Sequence, residues 1–175
     1  MRLSRFVLVT ILLIAGAQFV PAQTCNRHVE PQGGFSICIP DGWNVREQAD
    51  AKFKALFGPP ADNFAPNINI RDGMSTASLS DYVADGIKTI LANAEKIGAD
   101  SIEPLGQSDF DTDSGLHGIR VVFQSNYKGF LARTIQYIFD AGNGRKLIVT
   151  GTGLEKNKEV FDRVYDRAVK SFRLQ

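Results

Sequence analysis

Histidine, cysteine, methionine and tryptophan are all scarce in this chain: two His, two Cys, two Met and one Trp among 175 residues. Each scarcity removes a class of chemistry. His28 and His117 stand in no helix-spaced metal pair, and neither lies near a Gly-x-Ser-x-Gly elbow, so nucleophilic catalysis has no base in the pattern. A zinc site needs four ligands, which a lone cysteine pair and two scattered histidines fit poorly. A phosphate loop is missing as well: Gly151-Thr152-Gly153 follows an apolar stretch, but no Gly-Lys-Ser/Thr comes after it, and it reads as the bend into a closing helix. No motif calls for a cofactor. Charge of one sign is not in excess either, since 20 Lys and Arg face 19 Asp and Glu. Near neutrality without a run of like charges gives no electrostatic case for nucleic acid or for an anionic membrane surface.

The chain also lacks an apolar run long enough to span a bilayer. Phe6 to Phe19 is almost wholly apolar but covers about 14 residues, where a membrane helix takes about 20. With Arg2 and Arg5 before it and Val20-Pro21-Ala22 after it, the run is an export leader, residues 1–22, cleaved so that the mature chain begins at Gln23. The destination is the periplasm or the extracellular space, with no stable membrane insertion after cleavage. Two cysteines remain, Cys25 and Cys38, and an even count in an oxidising compartment predicts that they pair. A lipid on Cys25 or free thiols are the alternatives, and Ala22-Gln23-Thr24 suits lipidation badly.

Roughly 153 residues then form one domain, a polar lead-in at 23–33 and a body at 34–175. Phe35, Ile37 and Ile39 alternate on one face of a strand, Pro40-Asp41-Gly42 turns the chain, and Trp43 follows as a core anchor. Short strands are expected at Phe53–Phe57 and Asn67–Ile70, separated by an irregular loop stiffened by Pro59, Pro60 and Pro66. Ser78-Leu79-Ser80-Asp81 is a capping-box pattern that opens a helix striped by Leu79, Val83, Ile87, Ile90, Leu91, Ala94 and Ile97 and stopped by Gly98. Four extended segments follow, 102–110, 116–127, 131–140 and 145–152, an antiparallel meander whose mixed apolar faces imply cover on both sides. A second amphipathic helix closes the chain from Lys156 to about Arg173, with Val160, Phe161, Val164, Tyr165, Ala168 and Phe172 as its stripe.

Phe35-Ser36-Ile37 running into Ile39-Pro40-Asp41-Gly42-Trp43, the strand Asn67-Ile68-Asn69-Ile70, the helix opened by Ser78-Leu79-Ser80-Asp81-Tyr82 and the ending Val169-Lys170-Ser171-Phe172-Arg173 together resemble the PsbP-like superfamily. The resemblance covers about residues 34–174 and rests on structural motifs. It implies an α/β/α sandwich of the α+β class, with a central, mostly antiparallel sheet of six to seven strands and two main helices. It carries no shared catalytic residues, and implies an accessory or binding module whose partner is another envelope or secreted protein.

Two places remain where chemistry or recognition could reside. Asp109, Asp111 and Asp113 alternate towards Gly115 as a calcium loop begins, but the glycine comes one position late and Arg120 stands where a bidentate Glu belongs. A small metal-dependent enzyme or calcium-binding protein using Asp109 to His117 is therefore the alternative reading, against ordinary turn-favouring surface acids. The other place is the proline-stiffened loop with Pro60, Asp62, Asn63 and Phe64, where Phe64 serves either as an exposed anchor or as a local plug. Tyr127, Lys128 and Phe130 at a hairpin tip form a second candidate contact.

Overall fold

Period-two apolar patterns joined by tight turns build most of this molecule, and the computed structural model describes it over residues 25–49 and 51–175. The expected leader and its cleavage point lie outside the described residues. The chain runs through β1 (Arg27–Glu30), β2 (Phe35–Cys38), β3 (Asn44–Arg46), β4 (Ala55–Phe57), β5 (Asn67–Met74), α1 (Leu79–Ala92), β6 (Ser101–Asp111), β7 (His117–Tyr127), β8 (Phe130–Asp140), β9 (Arg145–Leu154), α2 (Lys158–Lys170) and β10 (Arg173–Leu174). Seven strands form the large sheet in the order β3-β4-β5-β9-β8-β7-β6, and three form a small sheet in the order β1-β2-β10. Every pairing is antiparallel.

Strand pleating sorts the core into two layers. On β8, Ile135, Tyr137 and Phe139 point to one side, where α2 supplies Tyr165, Ala168 and Val169 and the small sheet supplies Phe35 and Ile37. Ile138 of β8 points the other way and joins Val121, Phe123 and Ile148 beneath Val83 of α1. The expected sandwich of helix, antiparallel sheet and helix thus forms. The three-stranded sheet is an addition to it. Phe172, just past α2, stacks on both Phe35 and Phe139 at 5.3 and 5.6 Å and so welds the small sheet to the large one.

α1 starts where its cap residues dictate. The Ser78 hydroxyl accepts the Asp81 backbone N–H at 3.1 Å, and Asp81 reaches back to that hydroxyl at 2.6 Å. Gly98, with φ of 78°, ends a separate single turn, Glu95–Ile97. Several boundaries differ from the sequence expectation. The lead-in contains β1, which pairs with β2 and places the two half-cystines so that Cys25 and Cys38 are disulfide-bonded, their Cα atoms 5.6 Å apart. Within β1, His28 is 13 % exposed beside Glu30, so it is an enclosed strand residue and not a surface one. α2 ends at Lys170 because Arg173 and Leu174 leave the helix to pair with Ser36 and Phe35. Val160 lies off the buried stripe at 54 % exposure, and Val169 takes the inner place. Gly151 and Gly153 are within β9 and do not bend the chain: a Cβ on either would come within 3 Å of the Tyr165 side chain, so their absence of side chain seats that ring.

Candidate functional site

The segment between β4 and β5 is a tight hairpin, where an irregular loop was expected. Ala61 and Phe64 exchange two backbone hydrogen bonds of 2.9 Å, and Gly58 N–H bonds Pro66 carbonyl at 2.8 Å. The two residues at its tip, Asp62 and Asn63, have φ of 51° and 61°, the backbone of a type I′ turn, which Asp and Asn tolerate better than other side chains. Asp62 is also tied by a 2.7 Å ion pair to Lys156 in the short turn ahead of α2.

A second turn of the same kind joins β7 to β8, with φ of 55° at Lys128 and 84° at Gly129. Lysine gains nothing intrinsic from that conformation, so its neighbours hold it there: Asp100 accepts the Lys128 N–H and Asn126 accepts the Gly129 N–H. Sheet register places the two turns at one end of the molecule, because Thr152 of β9 lies opposite both Asn67 and Thr134. Phe64 and Phe130 each follow their turn directly, and their ring centroids are 5.5 Å apart. The two candidate segments of the sequence are therefore one surface. Pro60, Asp62, Asn63 and Lys128 are exposed on it, while Phe64, Tyr127 and Phe130 are half-buried. Phe64 is one half of an aromatic pair, half-buried against Phe130.

The acidic stretch of β6 is arranged otherwise. Asp111 Oδ1 accepts from His117 Nδ1–H at 2.8 Å, both side chains well exposed, and the Lys170 ammonium donates to the Asp111 carbonyl at 2.6 Å. The Asp113 N–H bonds the Lys170 carbonyl at 2.7 Å, while Ser114 caps Phe172 carbonyl. An ammonium already sits against this turn, and its job is to fasten the end of α2. Among the described residues no three His, Cys, Asp or Glu side chains converge as metal ligands would.

Two further features stand outside the sequence candidates. On the α2 face, Arg133 forks onto Asp162 at 2.8 and 3.1 Å, Arg120 bonds Asp166 at 3.0 Å, and Tyr137 donates to the same Asp166 oxygen. Burial first, then the Asp166 charge, pushes the Tyr137 phenol far above its usual range, so it stays protonated as a donor. The other feature is an open groove of about 660 Å³ along α1 and over the sheet, lined by apolar side chains such as Ile87, Ile90 and Ile97 and by as many polar ones, Arg71, Gln136 and Lys96 among them. Its one sequence signal is Gly86 at the centre of an otherwise apolar helical stripe.

No protein-family model matches the sequence, and no curated protein matches it. Solved structures do match. Cyanobacterial PsbP (CyanoP) from Synechocystis sp. PCC 6803 superposes with a TM-score of 0.65 at 13 % identity, over 93 % of this chain and 99 % of that one. The fold is PsbP-like. LpqN, involved in cell envelope biogenesis of Mycobacterium tuberculosis, follows at TM-score 0.58 and 13 % identity, covering 81 % of this chain and 83 % of its own. A protein of unknown function from Pseudomonas aeruginosa gives 0.56 at 16 % identity, over 76 % and 97 %. At such identities the likeness shows the PsbP-like fold alone.

Proposed function

We propose that this PsbP-like protein is an exported accessory module that works by binding another envelope or secreted protein, without chemistry of its own. The observation that carries the reading is the paired-turn tip, where two type I′ turns hold Phe64 against Phe130. A contact surface already fixed by its turns loses little conformational freedom on binding, and aromatic side chains dominate the energetics of such contacts. Export is supported by the Cys25–Cys38 crosslink, which belongs in an oxidising compartment and leaves neither sulfur as a thiol nucleophile. None of the described helices is long and apolar enough to cross a membrane.

The test uses the mature protein, wild type and Phe64→Ala, to capture a partner from its native envelope, after which affinity is measured with that partner purified. The expected loss is about thirtyfold or more in affinity, with stability lowered by about 1 kcal/mol from the broken aromatic pair. Unchanged affinity would sink the assignment of this surface. A stability loss of about 3 kcal/mol or more would show Phe64 to be core, with binding lost only through unfolding.

A further inference from the structure

The disulfide joins two sulfurs in unlike surroundings. Cys25 is exposed ahead of β1, whereas Cys38, the last residue of β2, is half-buried between Arg27 on one side and Ser171 at the end of α2 on the other. Register puts Arg27 directly across from Cys38, and its guanidinium donates to Cys38 Sγ at 3.3 Å. Further bonds hold it there. The same side chain donates to Ser36 Oγ at 3.2 Å and to the Ser171 carbonyl at 2.9 Å, while the Ser171 hydroxyl accepts the Cys38 N–H at 2.8 Å. The three bonds of Arg27 all go to Cys38 and the residues around it, and none goes to Cys25.

Charge beside Cys38 is of one sign. Arg173 stands across from Ser36 on the other edge of β2, and among the described residues neither Arg27 nor Arg173 is ion-paired to a carboxylate. Burial first, then repulsion from Arg173, lowers the Arg27 pKa, yet a guanidinium keeps its proton in a protein. A neighbouring arginine favours a thiolate over a thiol, and a disulfide opens fastest when the attacked sulfur is accessible and the departing one is the more acidic thiol. Both conditions select the same direction. From the guanidinium on one sulfur and the exposure of the other, we infer that Cys25–Cys38 is a thiol-exchange site: a thiolate, from a small thiol or a Cys-x-x-Cys oxidoreductase, attacks Cys25 Sγ and Cys38 leaves as a thiolate held by Arg27. The incoming thiol has already lost its proton to solvent. A new S–S bond forms at Cys25 as the old one breaks and its electron pair passes to Cys38 Sγ, so the incoming sulfur is oxidised to the mixed disulfide and Cys38 is reduced. Reversal expels the thiol and reseals the crosslink.

The test uses the mature, oxidised protein. Glutathione, and separately a Cys-x-x-Cys oxidoreductase whose second cysteine is replaced by serine, react with it for set times before iodoacetamide quenching, and peptide masses locate each adduct. Mixed disulfide at Cys25 with the alkyl group on Cys38 is expected, and the faster reagent identifies the source. Arg27→Gln should slow the reaction about threefold or more, because the departing thiolate loses a charged hydrogen bond, and Arg27→Lys should restore most of the rate. Thiol acidity gives a second reading, needed if Arg27→Gln loosens β1 and opens the disulfide faster. By ultraviolet titration the Cys38 thiol of a Cys25→Ser protein should be more acidic than the Cys25 thiol of a Cys38→Ser protein, and either Arg27→Gln or denaturant should remove the difference. Adducts chiefly on Cys38, no reaction of the folded protein with either thiol, an unchanged rate in a folded Arg27→Gln protein, or a Cys38 thiol no more acidic than Cys25 would each overturn the inference.

Discussion

The two faces of the large sheet are made by alternate residues of the same strands, yet they are packed to different ends. On the α2 face, Tyr137 and Phe139 meet Phe110, Phe172 and Tyr165, glycines 151 and 153 let the Tyr165 ring settle onto β9, and Arg120 and Arg133 clamp α2 by its aspartates. On the α1 face, Val121, Ile138 and Ile148 with the one ring of Phe123 meet a helix with a single buried residue, Val83. On the α2 face ring interlocks with ring, whereas α1 covers its face less completely and leaves an open groove along its flank, where Gly86 adds no side chain. One sheet can therefore assign stability to one face and spare volume to the other, and its sequence alternation separates the two tasks.

The largest test of that contrast is truncation on the tight face. Tyr165→Ala removes a ring that touches Trp43 and Phe161 and a hydroxyl bonded to the Thr152 carbonyl, and should cost about 3–5 kcal/mol in denaturant unfolding. Ile87→Ala, half-buried over the groove, should cost less than half of that. Equal costs would erase the distinction between the faces. Next in size is the crosslink. A Cys25→Ser, Cys38→Ser protein should lose about 3 kcal/mol, the entropic value for a loop of this length, and dithiothreitol should bring the wild type to the same midpoint.

Glycine to alanine should change sign across the sheet. At Gly151 the new methyl would stand 2.6 Å from the Tyr165 ring, an overpacking that costs about 1–3 kcal/mol. At Gly86 it enters open space and should stabilise by about 0.5–1 kcal/mol through helix propensity. Thermal melts of the two variants read both signs, and a destabilised Gly86→Ala would mean that the groove is closed in solution. The smallest effect belongs to Asp72. Burial works to raise its carboxyl, but hydrogen bonds and charge from Lys52 and Arg145 outweigh it and hold the pKa below the usual carboxylate value. Such a group stabilises above its unfolded pKa and loses that contribution as pH falls through the folded one, so a small part of the stability should vanish on acidification below roughly pH 4. Asp72→Asn should be less stable at pH 7 and show a shallower acid limb.

Much of this was legible because it is local. The Phe35-Ile37 alternation, the Ser78 cap and the turns after Tyr127 and Asp140 each decide their own geometry within a few residues. What escaped depends on distant partners. Arg27-His28-Val29-Glu30 and Arg173-Leu174 have no strand pattern, and extend because β2 offers them its two edges. Val160 satisfies a helical period that Val169 satisfies better once the helix axis is fixed by Phe172. The meeting of Phe64 with Phe130 needs strands β5, β9 and β8 in register before either turn can find the other. The groove is defined by volume left unfilled, and periodicity marks only where apolar residues stand.

The small sheet also has a mechanical side. β1 and β10 flank β2 and both run antiparallel to it, so the chain arrives opposite Cys38 and departs opposite Phe35, at the two ends of one four-residue strand. Tension drawn between those flanks loads β2 lengthwise, in shear. On one side a covalent sulfur link takes the load. On the other, two residues of strand and the bonds from Gln175 to Gly34 and Ser36 must take it. Under pull the carboxyl-terminal flank gives way first and uncovers Phe172, and the amino-terminal flank holds for as long as its sulfur link stays oxidised.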